Sequence, residues 1–331
     1  MAASANLPLA AACATAFLMS ARHHDDHHDH HHGHRAPTGS GAIGGLAFPL
    51  AVLLNLAFVV AEVAAGVISG SMALLADAGH NFSDVLSLLL AWGASVLAAR
   101  PPSARFTYGL KSSSILAAIA NAALLWVALG AILVETIRRL ADPVPVAGTT
   151  MMVVAGIGIV VNGACAFLFA KGRKADLNLR AAFQHLLADA AVSAGVVVAG
   201  LLVVVTGARW IDPVTSLAIT SVIAWGSWGL LREAVKMGLL AVPDGIDESA
   251  VRSFLAARSG VSAVHDLHIW PMSTTETALT AHLVMPGGYP GDGFLHALAH
   301  ALEHDFGIGH TTVQVEVREG AECALEGDGV V

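Results

Sequence analysis

Between residues 45 and 231 the chain runs six times through some twenty residues with scarcely a charge, over 45–68, 72–99, 114–135, 149–170, 182–206 and 212–231. A helix needs about 20 apolar residues to cross the hydrocarbon core of a bilayer. Lipid offers no hydrogen bonds to the backbone, so a chain with such stretches folds as helices that satisfy themselves. The breaks carry helix punctuation: Arg100-Pro101-Pro102, Asp142-Pro143-Val144-Pro145 and Asp212-Pro213. Composition agrees, with 55% hydrophobic and 13% charged residues, against about 25% charged in a soluble domain. A net charge of −8 argues against a nucleic-acid partner. Cys13, Cys165 and Cys323 lie too far apart in sequence to suggest a disulfide framework or a CxxC site.

Orientation follows from lysine and arginine near the spans. Arg22, Arg35, Arg100, Arg105, Lys111, Lys171, Arg173, Lys174, Arg180, Arg232 and Lys236 fall on one side; only Arg138, Arg139 and Arg209 fall on the other. Both termini are therefore expected in the cytoplasm, with Arg138 and Arg139 a local exception. Residues 1–21 are apolar as well, but they fall short of a span and lack the positive start of a signal peptide. After about residue 232 the pattern changes. Asp244 to Arg258 reads as an amphipathic helix, Val261 to Ile269 and Thr277 to Met285 as strands, Phe294 to Phe306 as a helix, and Thr311 to Val317 as a strand of period two. The order α-β-β-α-β predicts a small α+β domain. The organisation expected is a His-rich segment (1–44), a six-helix membrane domain (45–231), the α+β domain (232–320) and a tail (321–331).

Ionisable groups at membrane depth are expensive and usually functional. The second span carries Asp77, His80 and Asp84, and the fifth carries His185 and Asp189. In each span a His and an Asp stand four apart, on one helix face. Two imidazoles and two carboxylates suit tetrahedral Zn²⁺, whereas Cu(I) prefers sulfur and Mg²⁺ prefers an all-oxygen shell. The alternative is two independent His–Asp pairs that only stabilise helix packing. Asp77 reads as a residue near the water interface that supports the ligands from behind, or that simply caps or hydrogen-bonds. Asn55, Asn121 and Asn162 read as interhelical hydrogen-bonding groups. Glu62 reads either as a proton-handling residue or as one paired near a helix end.

In order along the chain stand Gly70-Ser71-Met72-Ala73-Leu74-Leu75-Ala76-Asp77-Ala78-Gly79-His80, Thr107-Tyr108-Gly109, His185-Leu186-Leu187-Ala188-Asp189, Asp212-Pro213, His265-Asp266-Leu267-His268-Ile269-Trp270 and His310-Thr311-Thr312-Val313-Gln314-Val315-Glu316. Together with six spans and an α+β tail, this series resembles the cation diffusion facilitator family, zinc exporters that exchange Zn²⁺ for H⁺, over residues 45 to 318. The resemblance implies a Y-shaped homodimer in the membrane lipid, a ferredoxin-like cytoplasmic domain with a metal-sensing role, and a transport site at His80, Asp84, His185 and Asp189. His rather than Asp at the first of these positions resembles the zinc-preferring branch. It further implies a regulatory zinc site near His265, His282 and Glu316, incomplete because Gln314 is a poor zinc ligand; His310 is a candidate substitute or equally a structural residue. The family often has charged residues where Ser112 and Ser114 stand, so a charge interaction near the dimer interface is expected to be missing. No His or Asp lies between Arg100 and Lys111, so the extra loop site of some members is expected to be absent. The expected location is a bacterial inner membrane.

Histidine is as frequent as lysine and arginine together, 17 against 17. Eight of these, His23, His24, His27, His28, His30, His31, His32 and His34, make a tract with three aspartates that attracts metal and can raise zinc supply at the cytoplasmic mouth. Two rival functions stand beside the exporter. One is a membrane zinc receptor or buffer that does not transport. The other is a membrane-anchored zinc peptidase, since His300-Ala301-Leu302-Glu303-His304 fits the H-x-x-E-H pattern. The peptidase needs a third ligand downstream, where only 27 residues remain, and it leaves the paired His–Asp motifs unexplained. An enzyme is therefore not expected, nor any organic cofactor; Zn²⁺ enters as substrate and as a candidate regulatory ligand.

Overall fold

The structure is a computed structural model and describes residues 44–170 and 177–317. It divides into two compact units, one of residues up to Val96 with Ala120–Leu231, the other of Leu97–Ile119 with Arg232 onward. The His-rich tract lies outside the described residues.

Six long helices follow the predicted order: α1 (Gly44–Ser69), α2 (Met72–Ala98), α3 (Ser113–Ala141), α4 (Gly148–Ala170), α5 (Leu177–Thr206) and α6 (Ile211–Gly238). Among the described residues, four segments are long and apolar enough to cross a membrane: Ser113–Ala141, Gly148–Phe167, Phe183–Thr206 and Ile211–Gly238. The apolar part of α1 within the described residues, Leu53–Ser69, is shorter, and α2 carries Asp77, His80 and Asp84 in its first half. Large apolar side chains such as Ile68, Val127, Val205 and Trp225 stand exposed, as a lipid-facing surface requires and a water-facing one would not tolerate.

Inside this first unit, Leu74, Leu125, Leu129, Met151, Val196, Ile219 and Ile223 form the core. Small residues let α4 and α5 approach backbone to backbone. A Cβ on Gly200 would stand 2.9 Å from the carbonyl oxygen of Gly148 and 2.7 Å from Met152 Cγ. The turn from α1 to α2 needs Gly70, which takes the left-handed φ of +69°. Its carbonyl accepts from the Arg139 guanidinium, and Glu135 holds that guanidinium by Arg139 Nε at 2.9 Å. The sequence exception to the charge rule is thus, for Arg139, a structural anchor.

The start of α2 is fixed from a distance of 140 residues. Asp212, fully buried at the start of α6, accepts from Ser71 Oγ at 2.6 Å, Met72 N at 2.8 Å and Ala73 N at 3.2 Å, while Ser71 Oγ accepts from Leu74 N at 3.2 Å. The opening N–H groups of a helix have no partner within it; here one carboxyl and one hydroxyl supply them. Asn121 Nδ2 donates to Ser87 Oγ at 2.6 Å, tying α3 to α2 as the interhelical reading of that asparagine expects.

The second unit has α7 (Glu248–Ala256), β1 (Ala263–Pro271), β2 (Thr277–Val284), α8 (Asp292–Phe306) and β3 (His310–Glu316). The α-β-β-α-β order expected from the sequence is present. The sheet order is β1-β2-β3, with β1 antiparallel and β3 parallel to β2. Val251 and Leu255 of α7 and Leu298 and Leu302 of α8 pack with Leu279, Leu283 and Ile308 in its core. The Asp247 side chain accepts from Ser249 Oγ at 2.7 Å and from Ser249 N at 2.9 Å at the start of α7, and these bonds hold its carboxyl below the usual range. Gly307 ends α8 in the left-handed region.

Residues 97–119 belong to this unit and dock on the β1–β2 connection. Lys111 pairs with Glu276, Ser112 Oγ donates to the Met272 carbonyl at 3.2 Å, and Thr274 N donates to Ser114 Oγ at 3.1 Å. The Tyr108 ring meets the His310 ring edge to face at 5.4 Å. Ser112 and Ser114, the two departures from the family pattern, therefore act through hydrogen bonds beside a Lys111–Glu276 charge pair.

Candidate metal centre

α2 and α5 bring His80, Asp84, His185 and Asp189 together, with one ligand atom from each inside a 4.8 Å group. His80 Nε2 lies 3.7 Å from Asp84 Oδ2 and 3.4 Å from Asp189 Oδ1. His185 Nε2 lies 3.0 Å from Asp84 Oδ2 and 3.6 Å from Asp189 Oδ2. Donors about 2.0–2.2 Å from a tetrahedral Zn²⁺ stand about 3.3–3.6 Å apart, so these spacings fall around the edge of such a tetrahedron. The closest contacts cross between helices, Asp84 with His185 and His80 with Asp189. Neither His–Asp motif is a self-contained pair, and the packing-pair alternative loses its simplest form. Asp189 is the most buried of the four, its side chain 6% exposed, while the other three are 21–32% exposed.

Asp77 lies outside the four-residue group and is fully buried, and Ser193 Oγ donates to its Oδ2 at 3.2 Å. Gly158 of α4 makes room there, since a Cβ on it would stand 2.9 Å from Ser193 Oγ and 2.7 Å from Phe58 Cζ. Glu62 of α1 is equally buried and accepts from Asn81 Nδ2 at 3.1 Å.

In the cytoplasmic-type unit His265, His282 and Glu316 form a second group. His265 Nε2 lies 3.3 Å from Glu316 Oε1, and His282 Nδ1 lies 3.0 Å from the same oxygen and 3.3 Å from His265 Nε2. The sheet builds this group from one residue per strand, because His265 pairs with His282 and His282 with Gln314, two before Glu316. Gln314 Nε2 donates to Glu316 Oε1 at 3.3 Å, holding that carboxyl rather than offering a ligand. His310 stands against Tyr108, outside the group. Sequence reasoning missed Asp266. A bulge between His265 and His268 puts it at φ +48°, where one carboxyl oxygen reaches His268 Nε2 at 2.8 Å and the other His282 Nε2 at 3.3 Å. A carboxylate behind a ligating imidazole fixes its ring and tautomer. The signal was present as Asp266 between two histidines, but the bulge that turns it was not.

The His300 and His304 rings stack at 6.3 Å on α8, and no third metal-binding group joins them among the described residues.

A family model described as the cation efflux transmembrane domain matches residues 49–237, and one described as the cation efflux protein, cytoplasmic domain, matches residues 243–318. The chain belongs to the cation efflux family. This cation efflux transporter is similar to the zinc transporter ZitB of Escherichia coli, 34% identical with 81% of this chain and 87% of the relative covered. It is 33% identical to the cadmium, cobalt and zinc/H⁺–K⁺ antiporter of Bacillus subtilis, over 78% of this chain and 85% of the relative. It is also 33% identical to the metal cation efflux system protein CzcD of Cupriavidus metallidurans, over 81% and 85%. The relatives are transporters, and the peptidase reading of His300, Glu303 and His304 falls. The cation efflux transporter is an integral membrane protein with a dimer-forming cytoplasmic domain.

Proposed function

We propose that this transporter exports Zn²⁺ from a bacterial cytoplasm across the plasma membrane in exchange for protons, and that His80, Asp84, His185 and Asp189 carry the ion. The observation that carries the reading is the spacing of these four donors, within and between α2 and α5, of 3.0–3.7 Å, around the edge length of a zinc tetrahedron. In this reading α1 to α6 all cross the membrane as the domain of residues 45–231, both termini are cytoplasmic, and two chains form the working unit through a ferredoxin-like domain of residues 232–320. The name of the Bacillus subtilis relative, which includes H⁺, supports the proton partner; the ZitB name supports zinc.

The chemistry of coupling is exclusion. A nitrogen that ligates zinc cannot hold a proton, and a carboxyl must be ionised to ligate. Each arrival of metal therefore sheds protons, and each reloading of protons expels metal. Because His80–Asp189 and Asp84–His185 span two helices, an occupied site draws α2 and α5 together, and a protonated one lets them part. That difference supplies the two states that alternating access requires. The His265–His282–Glu316 group is proposed as a regulatory zinc site with one position open, and the His23–His34 tract as a collector of zinc at the cytoplasmic mouth.

The test is zinc uptake into proteoliposomes under an imposed pH gradient, with wild type beside Asp84→Ala plus Asp189→Ala. Gradient-driven uptake that the double variant loses supports the antiporter. Tight zinc binding by wild type without flux would replace it with a receptor or buffer.

A further inference from the structure

Glu62 of α1 and Asp77 of α2 are both completely buried, and neither belongs to the four-residue metal group. A membrane protein does not keep two such groups without use. One oxygen of each is accounted for: Glu62 Oε2 accepts from Asn81 and Asp77 Oδ2 accepts from Ser193. The other two, Glu62 Oε1 and Asp77 Oδ1, find no donor among the described residues. The two carboxyls stand within hydrogen-bonding reach of each other.

Two ionised carboxyls are acceptors only and cannot bond to one another. One proton between them is the donor that both remaining oxygens lack, the arrangement by which paired carboxyls elsewhere share a single proton. The charged groups that act on the pair are His80 of α2 and Asp189 of α5. α4, which also packs against α1, has no Asp, Glu, Lys, Arg or His, and its sole ionisable side chain is Cys165. Among the described residues no lysine or arginine is hydrogen-bonded to either carboxyl or stands among the main charges acting on them, which leaves the proton to neutralise the pair.

We propose that Glu62 and Asp77 form a proton-binding site separate from the metal ligands, holding one proton while the metal site is empty and giving it up to water when a divalent cation arrives. The inference rests on the antiport reading above and adds a carrier to it. Asp77 is one helical turn from His80 on α2. A dication bound at His80 attracts an unprotonated pair and repels its proton, so metal and proton compete without sharing a ligand atom.

The full-length protein in detergent, weakly buffered with a pH-indicating dye, is titrated with zinc, wild type beside Glu62→Gln. The glutamine amide can donate permanently to Asp77 in place of the proton. The expected result is the same number of zinc ions bound at saturation and one proton fewer released per protomer in the variant; protons from the ligands, the cytoplasmic group and the His tract cancel in the difference. Equal proton release would overturn the proposal. An independent reading on wild type alone covers a variant that fails to fold: infrared difference spectra on zinc addition should lose the carbonyl stretch of a protonated carboxyl. Absence of that band in the metal-free protein would likewise overturn it. If wild type releases the proton yet shows no gradient-driven flux, the antiport reading falls and the proton site stands.

Discussion

Replacing Asp212 with alanine should destabilise the membrane unit by about 2–4 kcal/mol. Its carboxyl accepts from the Ser71 hydroxyl and from the N–H groups of Met72 and Ala73, at 2.6, 2.8 and 3.2 Å, with Asp212, Ser71, Met72 and Ala73 all buried. Truncation leaves two buried N–H groups unsatisfied, at about 1–3 kcal/mol each. The hydroxyl can turn to another acceptor, and the relief of no longer burying a carboxyl offsets part of the loss, which brings the sum to the lower half of the range. Asp212→Asn keeps one acceptor oxygen and should cost about half as much. Ser71→Ala removes both a donor to Asp212 and the acceptor for Leu74 N, worth about 0.5–2 kcal/mol as a lost helix cap. Because the two residues act through one network, the double variant should be less destabilised than the sum, by about 1 kcal/mol. The assay is reversible unfolding of the purified protein in mixed micelles, followed by helical circular dichroism. Strict additivity, or an Asp212→Ala variant within 0.5 kcal/mol of wild type, would refute the account of Asp212 as the cap of α2.

Gly200→Ala should cost about 1–3 kcal/mol by overpacking, because its Cβ would meet the fixed Gly148 carbonyl at 2.9 Å; a lowered unfolding midpoint in the same assay checks it, while Gly226→Ala, with nothing within 4 Å, should be silent. Glu316→Gln should reduce the zinc bound per protomer by one at the cytoplasmic group, read by equilibrium dialysis of the full-length protein. Asp266→Ala should keep that zinc but weaken it about 10–100-fold, as loss of the carboxylate behind His282 predicts.

Much of this was legible in the sequence for a physical reason: each signal was local. Apolar runs of about twenty residues and proline breaks placed all six helices, although α3 and α6 run six and seven residues past their expected ends and α5 starts five residues before its expected start. His80–Asp84 and His185–Asp189 were visible because four residues make one helix face. What stayed hidden was long-range. Nothing near Asp212 announces that it caps a helix beginning at Met72. Nor does anything near Asp77 announce its bond to Ser193, 116 residues away. Ser112 and Ser114 looked like losses against the family pattern, because their partners Met272 and Thr274 are 160 residues away.

The buried polar groups of the membrane unit divide by whether their bonds are complete. Asp212 accepts three hydrogen bonds, and Thr136 and Ser216 meet at 3.0 Å across α3 and α6; such groups are structural, satisfied and silent. Glu62, Asp77 and His80 each keep one polar atom without a partner among the described residues. Leaving a buried polar atom unpaired is costly; Asn121, Trp126, Asn162 and Thr220 of this unit also keep one such atom each, but only Glu62, Asp77 and His80 can also gain and lose a proton, which suits them to partners that come and go. Zn²⁺ and H⁺ are the partners whose chemistry fits imidazole and carboxyl groups. The same accounting separates His300 and His304, exposed on α8 and able to turn to water, from His265 and His282, buried within 3.3 Å of one another and of Glu316. Histidine count alone points equally to both pairs; burial with convergent donors selects one.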